Sequence, residues 1–171
     1  MAKRFIKYSK YNSGYLAFEF LILKELSRIN GYLKRTQSPL LTPVPMHWLR
    51  LFNRGYNQTE IITSLIAKET KIECSYDLIF KSKATKSQTK VRKNVRQTNI
   101  KDSFKVNLRE LSKYIEKDIV VIDDVRTTAS TLNEIAGTIK EHSPKSRVHG
   151  LTLFSPNPKF SNKMFIPNRN R

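Results

Sequence analysis

Residues 118–124, DIVVIDD, restrict the fold more than any other stretch of this 171-residue chain. Four successive β-branched residues, Ile119 to Ile122, form a run of strand length without the polar alternation of a half-exposed strand. Such continuous apolar runs are typical of parallel strands that are covered on both faces. We therefore predict a central buried strand that ends at Asp123 and Asp124.

The sequence after this strand predicts a strand–helix–strand unit. Residues 130–142, STLNEIAGTIKEH, repeat apolar side chains at helical spacing, and residues 147–155, RVHGLTLFS, form a second apolar run. A helix that joins two buried strands over this length indicates a βαβ unit. The predicted fold class is therefore α/β with a mainly parallel sheet.

Three segments nearer the N-terminus are predicted to be regular elements. Residues 18–35 and 55–70 repeat apolar side chains every three or four positions, as amphipathic helices do. Residues 40–46, LLTPVPM, are predicted to form a short strand that the two prolines end in a loop. Together with the βαβ unit, these segments indicate a single domain, which we place at residues 1–155.

A strong positive charge points to anionic partners. The chain carries 32 Lys and Arg against 14 Asp and Glu, a formal net charge of +18. Eight of these cations lie in residues 81–101, which contain no acid and are predicted to form a long mobile loop, and residues 156–171 are expected to be a loosely ordered basic tail. Nucleic acid, anionic lipid and phosphorylated small molecules all fit this charge, which does not separate them.

Other sequence features narrow the class of protein. The single cysteine, Cys74, excludes an internal disulfide. No apolar run approaches the roughly 20 residues that span a bilayer, and the N-terminus lacks the apolar core of a signal peptide. We therefore expect a cytoplasmic protein. The three histidines lie without ligand spacing, and no metal site built from protein side chains is predicted.

Asp123 and Asp124 lie where an open α/β sheet binds ligands, beyond the carboxyl end of a strand. Two adjacent carboxylates can accept hydrogen bonds from neighbouring sugar hydroxyls. The turn that follows offers N–H groups and hydroxyls at the start of a helix, where the helix dipole favours phosphate. The pattern therefore predicts a ribose 5-phosphate site. The competing interpretation is a solvated helix N-cap, where Asp, Thr and Ser are common for purely local reasons.

The thirteen residues 119–131, IVVIDDVRTTAST, resemble the phosphoribosyl-pyrophosphate (PRPP) fingerprint of type I phosphoribosyltransferases. The resemblance implies that the acid pair binds the ribose hydroxyls and acts in catalysis, with Arg54 as a further catalytic residue. It implies a PRPP-binding set of Asp123, Asp124, Arg126, Thr127, Thr128, Ala129, Ser130 and Thr131. Ala129 stands where the family usually has Gly, and its Cβ is expected to hinder the phosphate and to weaken catalysis.

Two further segments resemble the ComF (competence protein F, or GntX-like) branch of this family. Residues 44–67 contain Val-Pro followed by Arg-Gly-Tyr-Asn-Gln, and the spacing of Gln88, Arg96, Asn99 and Phe104 matches the same branch. The resemblance implies a doubly wound sheet of four or five parallel strands with helices on both faces. It also implies a pyrophosphate-binding set of Pro45, Met46, His47, Arg54 and Arg96, with Mg²⁺ bridged by the substrate.

The sequence departs from the ComF branch in one respect. Proteins of the ComF branch often begin with a zinc ribbon built on paired cysteines, which this sequence does not contain. We therefore expect the phosphoribosyltransferase domain alone.

Two functions remain open at this point. The first is an enzyme that binds PRPP with Mg²⁺ and transfers phosphoribose to an acceptor that the sequence does not identify. The second is a non-catalytic module of the DNA-uptake machinery in natural competence, which binds single-stranded DNA. For that role the expected nucleic-acid-binding residues are Lys86, Lys90, Arg92 and Lys93, with Trp48, Phe52, Tyr56 or Phe104 available to stack on bases. A solvated charge run is the simpler interpretation of the basic residues.

Overall fold

The apolar run at residues 119–122 forms the middle of the molecule in the computed structural model, which describes residues 14–82, 102–125 and 130–154. The helices are α1 (Gly14–Leu33), α2 (Trp48–Arg54), α3 (Gln58–Thr70), α4 (Leu108–Leu111), which continues as a 3₁₀ turn at Ser112–Tyr114, and α5 (Ser130–His142). The strands are β1 (Leu40–Pro43), β2 (Ile79–Lys81), β3 (Phe104–Val106), β4 (Ile119–Val125) and β5 (Val148–Phe154).

β4 is the central strand of a parallel sheet with the order β1–β4–β5. Leu41 of β1 is in register with Val120 of β4. The segment after α3 extends the sheet beyond β1, because Leu41 N–H donates to Glu73 O (2.9 Å) and Ser75 N–H donates to Leu41 O (2.9 Å). The predicted α/β class and the buried parallel strand are therefore confirmed.

Alternate residues of β4 face opposite sides of the sheet and enter two separate cores. Val120 and Ile122 belong to the core that α1 and α3 cover. Ile119 and Val121 belong to the other core, which α5 and the antiparallel pair β2–β3 cover. Because both faces are covered, each residue of this run is at most 1% exposed.

Asp118 connects the amino ends of the three parallel strands. Its buried carboxylate accepts hydrogen bonds from Gln37 N–H (2.9 Å) and from Arg147 Nε (2.7 Å). Arg147 also donates from Nη2 to Gln37 Oε1 (2.9 Å), and His149 Nε2 lies 3.3 Å from the carboxylate. These contacts join the residues just before β1, β4 and β5. They lie at the end of the strands opposite to Asp123.

Four elements appear that the sequence patterns do not predict, namely α2, the paired strands β2 and β3, and α4. None of the seven residues of α2 is buried, so hydrophobic periodicity gives no signal for it. β2 and β3 have three residues each and are distant in sequence. The predicted helix at 55–70 begins only at Gln58, since α2 occupies the chain up to Arg54, and the predicted strand at 40–46 ends at Pro43.

Several sequence predictions lie outside the described residues. Of the predicted loop at 81–101, Lys81 is the last residue of β2 and Ser82 follows it, whereas residues 83–101 are not described. The tail at 156–171 is not described either, so the division into one domain and a tail stays a prediction. Within the described part of the chain, no helix combines the length and the apolar character needed to cross a membrane.

Candidate functional site

A cavity of about 300 Å³ opens at the carboxyl ends of β1 and β4, where the sequence predicts the ligand site. The end of β4 and the start of α5 contribute Asp123, Asp124, Val125, Ser130 and Thr131. The rest of the lining comes from the turn after β1, the arginines of α2, the first turn of α3, and Lys81 of β2. Acidic and basic side chains therefore meet in one cavity.

Asp123 and Asp124 are the acidic side chains of this cavity. Both are partly buried, and Asp124 N–H donates to Asp123 Oδ1 (2.9 Å). Burial raises the pKa of the Asp123 carboxyl well above its usual range, the charge of Asp124 adds to the rise, and the Lys81 ammonium opposes it. A ligand whose hydroxyl groups donate hydrogen bonds to Asp123 would therefore stabilise a carboxylate that the protein itself stabilises poorly.

The turn after β1 ends in His47, which caps α2. His47 Nδ1 accepts a hydrogen bond from Leu49 N–H (3.3 Å), and the side chain is buried. Because Nδ1 is an acceptor here, a neutral imidazole carries its proton on Nε2. The ring also packs against Trp48, with 5.8 Å between the ring centroids. His47 therefore holds the start of α2 in addition to lining the cavity.

The motif Arg-Gly-Tyr-Asn-Gln, residues 54–58, connects α2 to α3. Gly55 has a φ of 76°, in the left-handed region that glycine tolerates best, and its N–H donates to Leu51 O (2.7 Å), which ends α2. Asn57 caps α3, since its Oδ1 accepts a hydrogen bond from Thr59 N–H (3.2 Å). Two helix ends are thereby held beside the cavity.

Asn57 and Thr59 also fix the turn after β1. Asn57 Nδ2 donates to Val44 O (3.2 Å), and Thr59 Oγ1 lies 2.7 Å from the same carbonyl oxygen. Both side chains are at most 5% exposed, so water competes little for these hydrogen bonds. They join the end of β1 to the start of α3.

The helix α2 contributes two guanidinium groups to the cavity, those of Arg50 and Arg54. The two residues are four positions apart and therefore share one face of the helix. Arg54 Nη1 donates to Gln58 Oε1 (3.3 Å), which restrains this side chain. Arg50 is absent from the predicted site residues because α2 is not predicted; a helix between His47 and Gly55 would have revealed the pair.

Lys81 is a further cation that the sequence does not single out. It ends β2 opposite Phe104 of β3, and its Nζ lies 5.1 Å from the centre of the Phe104 ring. Burial lowers the pKa of Lys81 to about 8; Arg50 adds to this effect and Asp123 opposes it. Eight Lys and Arg occur in residues 81–101, and no local pattern distinguishes Lys81 from the other seven.

Residues 59–165, more than half of the chain, match the family described as "Phosphoribosyl transferase domain". The chain belongs to this family. It is similar to Competence protein F of Haemophilus influenzae, with 28% identity over 101 residues that cover 59% of this chain and 44% of that protein. It is also similar to the DNA utilization protein YhgH of Escherichia coli (strain K12), with 24% identity over 131 residues that cover 77% of this chain and 56% of that protein.

These similarities confirm the predicted ComF branch of the phosphoribosyltransferases, at modest identity. The chain spans about half the length of the relatives that it matches. Among solved structures, it is similar to the glutamine PRPP amidotransferase from B. subtilis complexed with ADP and GMP. That similarity has a TM-score of 0.43 and 15% identity, and it covers 67% of this chain and 22% of the other.

The phosphoribosyltransferase domain brings together eight of the predicted site residues. Those that line the cavity are Pro45, Met46, His47, Arg54, Asp123, Asp124, Ser130 and Thr131. The predicted residues outside the described part of the chain are Arg126, Thr127, Thr128, Ala129 and Arg96, and the basic residues Lys86, Lys90, Arg92 and Lys93. The ligand roles assigned to both groups stay predictions.

The aromatic side chains expected to stack on nucleobases have different environments. Trp48 is 64% exposed and Phe52 is 85% exposed on α2. Phe104, in contrast, is only 3% exposed and belongs to the core between α5 and the sheet, so its predicted availability for stacking is wrong. The physical reason is that Phe104 lies on the face of β3 that packs in this core with residues of α5.

Proposed function

We propose that the cavity binds PRPP and that the domain acts in DNA uptake or utilisation. One observation supports this above the others: an acid pair at the end of β4 and the arginines of α2 line the same cavity, beside the start of α5. Asp123 and Asp124 accept hydrogen bonds from the vicinal ribose hydroxyls. The start of α5 faces the 5-phosphate, and the turn after β1 with Arg54 faces the pyrophosphate.

Mg²⁺ is part of this proposal. Among the described residues, no three His, Cys, Asp or Glu side chains form a group able to hold a metal ion. Mg²⁺ commonly takes most of its oxygen ligands from substrate phosphates and water. In this proposal the ion would be held by phosphate oxygens of the ligand and by water, with Asp123 and Asp124 as the carboxylates that line the cavity, and it would neutralise part of the charge of the ligand.

Pentosyl transfer is the reaction that such a site would carry out. The bond between the anomeric carbon and the pyrophosphate oxygen breaks, and an acceptor atom forms a new bond to that carbon. Negative charge grows on the leaving pyrophosphate, which Arg54 neutralises while Gln58 holds its guanidinium in place. Release of pyrophosphate from PRPP, screened over candidate acceptors, decides whether the domain is an enzyme and which acceptor it uses.

Calorimetric titration with PRPP and Mg²⁺ tests the binding itself. We expect binding to the wild type and a loss of at least tenfold in affinity in the double variant Asp123→Asn, Asp124→Asn, because two acceptors for the ribose hydroxyls lose their charge. Glu116→Gln with Glu141→Gln is the matched control, since it removes two exposed acids elsewhere. Equal heats in the acid-pair variant and the wild type would refute the ribose contacts.

A second candidate function is binding of single-stranded DNA. The net charge of +18 and the exposed Trp48 and Phe52 on the arginine-bearing helix α2 favour it. The names of the relatives, a competence protein and a DNA utilization protein, agree with this role.

Measurement of oligonucleotide affinity at several salt concentrations tests the DNA proposal. We expect affinity to fall steeply with salt, and to fall further when Lys90, Arg92 and Lys93 are changed to Glu. In the matched control, Lys24, Lys34 and Lys140, which are basic residues of other segments, are changed to Glu so that their charges are reversed. Undiminished binding in the first variant would show that Lys90, Arg92 and Lys93 do not bind the DNA.

A further inference from the structure

Lys81 and Arg50 bring two positive charges to the cavity that contains the acid pair. They come from separate elements, β2 and α2, and both line the cavity. The position of Lys81 is fixed by the pairing of β2 with β3 and by the contact of its ammonium with the Phe104 ring. Lys81 is therefore a partly buried side chain in contact with a core residue.

The charge of Arg50 disfavours the charged form of Lys81. Arg50 repels the Lys81 ammonium, partial burial removes water that would screen the repulsion, and Asp123 is the charged group that offsets it. Asp123 is itself partly buried beside a second acid, and both effects raise the pKa of its carboxyl, so it compensates only in part. A multiply charged anion placed between Lys81 and Arg50 would relieve this repulsion, which is a common property of ligand sites.

We propose that Lys81 is a ligand-binding residue of this cavity, and that its ammonium and the guanidinium of Arg50 together hold a multiply charged phosphate group. The inference rests on the proposed function only in taking the ligand to be a phosphate. In this arrangement Lys81 bonds the phosphate, while the charge of Asp123 favours the protonated form of the ammonium. No other cation outside α2 lines this cavity among the described residues.

The proposal predicts a pH dependence of binding that a permanently charged arginine would not produce. The charges that act on the Lys81 ammonium are those of Arg50 from α2 and Asp123 from β4, and its nearest described aromatic contact is the Phe104 ring of β3. Since its pKa is lowered to about 8, the ammonium loses its proton in a range where an exposed lysine keeps it. Phosphate affinity should therefore decrease as the pH rises above 8.

Titration with inorganic pyrophosphate and Mg²⁺, and separately with PRPP and Mg²⁺, tests the role of Lys81. We expect Lys81→Gln to weaken both ligands roughly 10- to 100-fold, the range for a lost hydrogen bond to a charged group. The matched control is Lys105→Gln, which removes an exposed lysine from β3 of the same strand pair and should leave both affinities unchanged. Thermal denaturation of each variant confirms that it is folded.

The variant Lys81→Arg separates a binding role from a structural one. At pH 7 it should bind within about threefold of the wild type, and at pH 9 it should bind about tenfold more tightly, since about a tenth of the lysines with a pKa near 8 keep their proton there. The titration of pyrophosphate itself affects both proteins equally. Identical pH profiles, or full affinity in Lys81→Gln, overturn the inference.

The outcomes also distinguish this inference from the proposed function. Loss of PRPP binding in the acid-pair variant together with full binding in Lys81→Gln refutes only the role of Lys81. A second outcome is that the wild type binds pyrophosphate but not PRPP, and that Lys81→Gln loses the binding of pyrophosphate. This outcome supports the phosphate site and refutes the ribose contacts. Absence of binding of either ligand to the wild type overturns both.

Discussion

Asp123 combines burial with an adjacent negative charge at a single residue. Both effects raise the pKa of its carboxyl, so the charged form costs stability at neutral pH. Neither hydrogen bonding by Asp124 N–H nor the charge of Lys81 removes this cost. Functional groups that are poorly stabilised in the free protein are common where a ligand supplies the missing interactions.

Asp123→Asn should therefore stabilise the protein at pH 7. The folded form binds the extra proton more tightly than the unfolded chain, so wild-type stability decreases as the pH rises from about 4 through the raised pKa. The amide lacks this charge, and its Oδ1 can still accept the hydrogen bond from Asp124 N–H. We expect the melting temperature to rise by about 2–4 °C at pH 7, the shift that about 1 kcal/mol produces in a chain of this size.

Thermal denaturation at pH 7 and at pH 4 checks this prediction. The gain should disappear at pH 4, where both proteins carry an uncharged side chain at this position. Glu141→Gln, an exposed acid of α5, should show no gain at either pH. A gain of equal size at both pH values would contradict the electrostatic explanation.

At the scale of elements, the junction of α2 and α3 depends on its caps. α2 has no buried residue, so His47 at its start and Gly55 at its end supply contacts that a hydrophobic core supplies to other helices. Asn57 performs two tasks, because it caps α3 and bonds the Val44 carbonyl. The shape of the cavity therefore rests on a few polar residues between two helices.

Gly55→Ala and Gly31→Ala should change stability in opposite directions. An added Cβ meets no atom within 4 Å at either position, so only backbone conformation differs. Gly55 has a φ of 76°, which costs alanine roughly 1 kcal/mol or more. Gly31 lies inside α1, where alanine should stabilise by about 0.5–1 kcal/mol. Urea denaturation measures both changes, and a gain at Gly55 would contradict the assigned conformation.

Asn57→Ala and Asn107→Ala separate helix capping from cavity shape. Both residues cap helices, Asn57 on α3 and Asn107 on α4, so each change should cost about 1 kcal/mol of unfolding free energy. Only Asn57 also bonds the Val44 carbonyl beside the cavity. Calorimetry should therefore show weaker PRPP binding for Asn57→Ala and unchanged binding for Asn107→Ala; equal affinities would mean that this bond does not shape the site.

At the scale of the whole molecule, the two ends of β4 have different tasks. Asp118, just before the strand, ties three strand starts together through Gln37 and Arg147. Asp123 and Asp124, at its other end, line the cavity. Acidic residues at one end of the sheet therefore serve stability, and those at the other end are the candidates for ligand binding.

Asp118→Asn should reduce stability without changing ligand affinity. The change weakens the hydrogen bond from Arg147 and removes a buried charge partner, which we expect to cost about 1–3 kcal/mol in unfolding free energy. The cavity lies at the opposite end of the strands. The PRPP dissociation constant measured by calorimetry should therefore stay within twofold of the wild type. A large loss of affinity would show that the two ends are coupled.

The sequence predicts the part of the molecule whose signals are local. β4, α5 and β5 follow from apolar runs and helical spacing between residues 118 and 155, and the acid pair follows from its position at a strand end. The sequence patterns do not predict α2, because this helix has no buried residue and therefore no hydrophobic periodicity. β2 and β3 meet only through folding, and the same pairing places Lys81 in the cavity and hides Phe104 in the core.

The pairing of β2 with β3 also brings the two ends of the intervening stretch close together. Ser82 N–H donates to Ser103 O (2.9 Å), so the two points between which residues 83–101 are inserted lie one hydrogen bond apart. A tight hairpin turn spans such a gap without strain. A variant in which a short turn joins these two points would keep the described lining of the cavity and lack Arg96 and the predicted DNA-binding residues, so it would separate the contributions of the two groups to binding.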